Sequence, residues 1–203
     1  MTTAPGPSTT WHINVSINGQ AYPTRDYAPD IWGSSDACFN LPEQHLNYVR
    51  AIHEAGHAVA ALIGQAHLHF AQIVAGEAAT ESGGLTEGCK FSDGHAFAVF
   101  SAAGERATDR WLREAGLWTP ERAVANEVGS SSDRCHFLDI NPHVGFGDKQ
   151  VDYRVVHDLA DQALDQYWNA VTAVADALTR HLHVEGEVIA ELAGLPNGTA
   201  NHA

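Results

Sequence analysis

Leu46-Asn-Tyr-Val-Arg-Ala-Ile-His-Glu-Ala-Gly-His-Ala-Val-Ala-Ala-Leu-Ile63 decides how this chain folds, because its apolar positions recur at three- and four-residue steps. Leu46, Val49, Ile52, Gly56, Ala60 and Ile63 share one face, which predicts a long helix that Gly64 ends. Asn40, three residues before Glu43 with Pro42 between them, is the expected cap with its capping-box partner. Within this helix lies His53-Glu54-Ala55-Gly56-His57. A helix turns about 100° per residue, so the two imidazoles stand nearly above one another, about 6 Å apart, and can share one cation. Glu54 is offset beside them, where a general base takes a proton from the attacking water without ligating the metal. The expected cofactor is Zn2+, and the expected activity is that of a zinc metalloendopeptidase.

Working outward, Trp11-His-Ile-Asn-Val-Ser-Ile17 alternates and is followed by Asn18-Gly19, a hairpin signal, so residues 11–40 read as a strand-rich N-terminal extension. Residues 68–91 carry β-formers broken by Gly76 and Gly83-Gly84, which predicts two or three strands. Ser92 or Asp93 caps a second long helix over about 94–115, with Ala96, Phe100, Ala103, Ala107 and Trp111 on one face. Thr119-Pro120-Glu121 opens a short helix that ends near Gly129. Residues 151–182 keep helical spacing throughout, a last short helix covers 185–193, and residues 196–203 are expected to fray. The class is α+β, mostly helical: a zinc-bearing helix on a small β-sheet, followed by a C-terminal helical bundle. A flexible arm (1–10) precedes one domain over 11–195, whose 41–130 segment holds the zinc helix, sheet and second helix, and whose 131–195 segment holds the third ligand and C-terminal helices.

Eleven Lys and Arg against 25 Asp and Glu give a formal charge of −14, which argues against nucleic acid or an anionic membrane as partner. No run approaches the ~20 apolar residues of a membrane span, and residues 1–10 lack the basic start and apolar core of a signal peptide. Cys38, Cys89 and Cys135 are odd in number and contain no C-x-x-C pair, as suits a reducing cytoplasm. The reading is therefore of a cytoplasmic protein with no membrane anchor.

A catalytic zinc takes three protein ligands and keeps a fourth position for water, so one more ligand must come from elsewhere. By residue type the downstream candidates are Asp109, Asp133, His136 and Asp139. His53-Glu-Ala-Gly-His-Ala58 resembles the peptidase domain of FtsH, the ATP-dependent zinc protease of bacterial and organellar membranes. Ser101-Ala-Ala-Gly-Glu-Arg-Ala-Thr-Asp109 is similar to that family's Tyr-Gly-Gly-Arg-x-Ala-Glu-Glu segment, and Gly129-Ser-Ser-Ser-Asp133 to its Gly-Ala-Ser-Asn-Asp. The helix ending Ala177-Leu-Thr-Arg180 and Glu185-Gly-Glu-Val188 resemble its C-terminal helices, so the likeness runs from about residue 45 to 193. It implies that Asp133 is the third zinc ligand, and that Gly84, Leu85 and Thr86 belong to a strand beside the cleft that binds substrate. Three features depart from the family. No Gly-x-x-x-x-Gly-Lys-Ser/Thr phosphate loop is present, Thr108-Asp109 replaces a pair of acidic residues, and the sequence after Asp133 leaves the family's long helix early.

The leading expectation is ATP-independent hydrolysis of peptide bonds in a flexible or unfolded polypeptide, with Glu54 as general base. A dedicated tailoring or maturation hydrolase acting on one small molecule or modified peptide is the alternative, and a non-catalytic binding or regulatory module the third. The family works as a ring, so a homo-oligomer is possible.

Overall fold

Helix α2 (Glu43–Ile63) runs through the middle of the computed structural model, which describes residues 11–17, 20–25, 35–75, 83–88, 91, 94–130, 132–134 and 153–200. From Arg50 to Leu62 every residue except His53 is buried. An ordinary surface helix buries one stripe; this one is enclosed on almost all sides, which its Ala-rich composition permits. Its neighbours are α3 (Gly94–Glu114), a helix near the far end of the chain (Trp168–His181), and the strands β3 (Leu68–Ile73) and β4 (Gly84–Gly88). Ile52, Val59 and Leu62 are at most 2% exposed, each contributing about 1.5–3 kcal/mol of burial free energy. Gly56 is the point of closest approach to α3: a Cβ there would lie 2.6 Å from the Ala103 carbonyl oxygen and 2.7 Å from Ala107 Cβ. Only glycine lets the two backbones come so near.

The start of α2 differs from the expected capping box. Pro42 is the cap residue, its carbonyl accepting from the amides of His45 (2.8 Å) and Leu46 (3.1 Å), and its own side chain makes no capping hydrogen bond. Asn40 instead has φ of 46° just past α1 (Ser35–Phe39), the left-handed conformation that asparagine tolerates at a helix end. The Glu43 carboxylate takes the Arg50 guanidinium at 3.1 Å. At the other end Gly64 is the C-cap, as expected.

The sheet is antiparallel with order β4-β3-β5, pairing Ala71 with both Thr86 on β4 and Val184 on β5 (His183–Glu185). Among the described residues two strands therefore come from 68–91, and the third arrives from the far end of the chain. Three residues, of which only Val184 is buried, are too few to leave an alternating pattern. The N-terminal hairpin forms as expected from β1 (Trp11–Ile17) and β2 (Gln20–Arg25), with Ile17 paired to Gln20; Asn18 and Gly19 lie outside the described residues. Helix α4 (Pro120–Gly129) begins at Thr119, whose hydroxyl accepts from the Arg122 amide at 3.2 Å.

The expected single helix over 151–182 is two: α5 (Tyr153–Gln166) and α6 (Trp168–His181), broken at Tyr167. The Tyr167 amide is shared between the carbonyls of Ala163 (3.3 Å) and Leu164 (3.2 Å), while its own carbonyl accepts from Ala170 at 2.9 Å. Helix α5 packs on α3 and α6 packs on α2, and the break is what lets one run of apolar periodicity serve both. Helix α7 (Gly186–Ala193) follows β5 and ends at Gly194, φ 64°. The stretch expected to fray is tied down as far as Gly198. The Asn197 side chain accepts from the Leu68 amide (2.7 Å) and donates to its carbonyl (3.0 Å), and the Gly198 amide donates to Ala66. The class is α+β, mostly helical, as expected. No helix among the described residues is long and apolar enough to cross a membrane.

Helix α3 also buries charge. Asp109 accepts from Arg106 (3.0 Å), Arg113 (3.0 Å) and the Trp118 indole (3.0 Å), while Arg106 is shared with Asp161 at 2.7 Å. Burial alone would raise the Asp109 carboxyl, but Arg106 above all, with Arg113 and Trp118, holds it below its ordinary value of 3.8. A folded pKa below the unfolded one gives stability that is present above the unfolded value and lost as pH falls through the folded one. Asp109→Asn is expected to cost about 3 kcal/mol at pH 7, the low end for breaking a buried pair because Asp161 still faces Arg106. Denaturant titrations of the two proteins should converge as the pH is taken below 3.8.

Candidate metal centre

Helix α2 presents His53 and His57 one turn apart toward α3, and the helical residues 132–134, just beyond α4, bring Asp133 across to them. His53 Nε2 and His57 Nε2 are 3.0 Å apart. Asp133 Oδ2 lies 3.2 Å from the first and 3.4 Å from the second. Three potential ligand atoms of the His, His, Asp set thus converge on one point, and the group can hold a metal ion. The His57 side chain is 4% exposed, but His53 and Asp133 reach solvent at 17% and 20%, which leaves an approach for a further ligand.

Two local features fit these residues to a cation. His57 Nδ1 donates to the Phe100 carbonyl on α3 at 2.7 Å, which in the neutral ring fixes the tautomer and turns the Nε2 lone pair toward His53 and Asp133. Phe100 also packs its ring on His57, centroids 4.9 Å apart. Gly104, one turn further along α3, is the floor. A Cβ there would lie inside van der Waals contact of His57 Nε2 and 2.7 Å from His53 Nε2, so the absence of a side chain leaves the space that the three ligand atoms face. Two imidazole nitrogens and a carboxylate oxygen at these separations need a proton or a cation among them. Without metal a proton fills that role: burial would lower the His57 pKa, but the Asp133 carboxylate overrides it and pushes it up to about 9. Burial would raise Asp133, and His57 with His53 holds it well below the carboxylate range. Metal uptake must displace that proton.

Glu54, the next residue after His53, turns its carboxylate to strand β4. Its Oε2 accepts from the Thr86 hydroxyl at 2.7 Å, and the Gly84 backbone passes so close that a Cβ there would be 2.6 Å from Oε1. Strand β4 thus lies directly against the carboxylate. Burial raises the Glu54 carboxyl above its ordinary range, Asp133 adds to this, and the two imidazoles and Thr86 draw it back.

The structure therefore brings together His53, His57 and Asp133, with Glu54 next to them on α2 and Gly84, Leu85 and Thr86 on the adjoining strand. Thr86, expected beside substrate, has its hydroxyl on Glu54. Asp109 is buried among Arg106, Arg113 and Trp118. His136 and Asp139, the other candidates, lie outside the described residues, as do Cys89 and Cys135. Glu105 and Asp109 are 1% and 6% exposed, and the contact that orients His57 comes from the Phe100 backbone carbonyl. Two participants escaped the sequence reading: Phe100 through its carbonyl, and Gly104. A glycine inside a helical pattern, as in Ala103-Gly-Glu105, is a signal for close approach, and it was available for Gly104.

No protein-family model matches the chain, and no curated protein matches it either. The functional reading thus stands on the geometry of these residues.

Proposed function

We propose that this chain is a zinc metallopeptidase of the FtsH-like kind, acting without ATP on flexible or unfolded polypeptide. The observation that carries the reading is the convergence of His53, His57 and Asp133 with a non-ligating carboxylate, Glu54, one residue along the same helix. Two imidazoles, one carboxylate and a solvent-facing side suit a catalytic zinc with an open position better than a closed structural site. Held by His53, His57 and Asp133, zinc would supply a Lewis acid for the scissile carbonyl and a water acidic enough to attack near neutral pH. Glu54 accepts the proton of the attacking water at its carboxylate and hands it to the leaving amine, while Thr86 fixes the rotamer from which it does so. His57 is kept in register by the Phe100 carbonyl, and Asp133 balances the charge of the centre.

Strand β4 supports a peptide as substrate. It is the edge of the sheet, bonded to β3 on one side only among the described residues, and Leu85 is 44% exposed. An extended chain added along this edge would gain main-chain hydrogen bonds next to Glu54 with little demand on sequence. The charge of −14 favours neutral or cationic segments. A passive cleft does no work of unfolding, which restricts the substrate to chain that is already flexible. Incubation with casein and an unstructured peptide library is expected to give cleavage that a chelator removes and added Zn2+ restores. Zinc-loaded protein that cuts no peptide in either set overturns the reading.

A further inference from the structure

We propose that Arg134, clamped by Glu105, is the positioning residue that fixes Asp133 as the third ligand; the inference rests on the metal-site reading above. Asp133 reaches the centre on the helical residues 132–134 that follow α4. Its side chain is 20% exposed and meets the two imidazoles, so the place of the carboxylate depends on how firmly its backbone is held. The next residue supplies that hold. The Arg134 side chain is 2% exposed and meets Glu105 fork to fork, Nε on Oε2 and Nη2 on Oε1, both at 2.8 Å. Its Nη2 is also 3.6 Å from Glu127 on α4, and its amide donates to the Ser130 carbonyl at 3.1 Å. The Ser130 hydroxyl donates to the Asn126 carbonyl (2.9 Å), and the Asn126 amide group donates to the Glu105 carbonyl (2.8 Å). Glu105 is thus joined to the Asp133 segment through both its side chain and its backbone.

The residue before Glu105 is Gly104, the floor under both imidazoles. Two consecutive residues of α3 therefore set all three ligands: Gly104 leaves the space for His53 and His57, and Glu105 anchors the neighbour of Asp133. Stability alone is a poor reason for the pair. Burying two charges costs much of what their attraction returns, and apolar residues of the same volume are often as stable. A bidentate fork, however, fixes distance and orientation at once, which a ligand-bearing turn requires.

That difference supplies the test. Three proteins are compared: wild type, Glu105→Met/Arg134→Met, which removes both charges together, and Glu105→Gln, which keeps shape but weakens the fork. Zn2+ affinity is measured by chelator competition, Co2+ uptake by its visible absorption, and folding of the metal-free forms by circular dichroism and thermal melting. The double variant is expected to melt cooperatively, to bind zinc about 10–100-fold more weakly, and to give a less intense, less tetrahedral Co2+ spectrum. Glu105→Gln is expected to show a smaller loss in the same direction, and it decides the matter where removing both charges costs the fold. A folded variant with wild-type zinc affinity and an unchanged Co2+ spectrum overturns the clamp alone. Wild-type protein that takes up neither ion overturns the metal reading, and the clamp with it.

Discussion

Glu54→Gln is expected to leave zinc bound at wild-type stoichiometry and to lower the rate of peptide cleavage by about 10²–10⁴-fold or more. Glutamine has the shape of glutamate, and the Thr86 hydroxyl, which donates to Oε2 at 2.7 Å, can donate equally to an amide oxygen. Gly84 leaves the space that the side chain occupies. The variant should therefore fold, keep its rotamer and leave the three converging ligand atoms untouched, since Glu54 contributes none of them. What it loses is the ability to accept a proton. The comparison separates roles that a ligand substitution would confound: His57→Ala removes metal and turnover together, while Glu54→Gln removes turnover only. The measurement is metal content beside initial cleavage rate on one unstructured peptide. Undiminished cleavage by a zinc-loaded Glu54→Gln protein would sink the proposed mechanism, and loss of zinc from it would mean that Glu54 is a ligand.

The legible parts of this molecule are those written in local spacing. The i, i+4 histidines sit on one face because a helix demands it, and the helix itself is announced by its apolar steps and ended at Gly64. Thr119-Pro120-Glu121 opens α4 for an equally local reason. The break at Tyr167 was hidden because the apolar period runs through it unchanged, and what divides α5 from α6 is that they pack on different helices. The strand β5 was hidden because its pairing with Phe70, Ala71 and Gln72 is a tertiary event of three residues. Glu105 and Arg134 show the same limit for charge. A sequence presents them as two ordinary polar residues, and only the approach of α3 to the turn after α4 makes them a buried pair. Asp133 was indicated by resemblance, and its place 3.2 Å from His53 Nε2 is an independent fact of the fold.

Gly104→Ala is the substitution in which local and tertiary physics oppose each other most directly. Alanine is about 1 kcal/mol better than glycine in a helix interior, and Gly104 lies well inside α3, so local propensity favours the change. The added methyl group, however, would press on His57 Nε2 and lie 2.7 Å from both His57 Cδ2 and His53 Nε2. Those atoms are not loose ends. The His57 ring is held at Nδ1 by the Phe100 carbonyl and its side chain is 4% exposed, so it cannot swing away without breaking a buried hydrogen bond. His53 has more freedom, being 17% exposed, and turning it outward removes one ligand from the set. The metal-free protein should lose no more than about 2 kcal/mol, overpacking being offset by helix propensity. Zinc affinity should fall by more than about 100-fold, beyond the range for residues that only support a ligand, because here the ligand nitrogens themselves are displaced. Chelator competition and thermal melting of the metal-free form read the two effects separately. Wild-type affinity in Gly104→Ala would mean that the imidazoles have room to move and that the floor of the site is set elsewhere; loss of affinity with the fold intact locates it at this glycine.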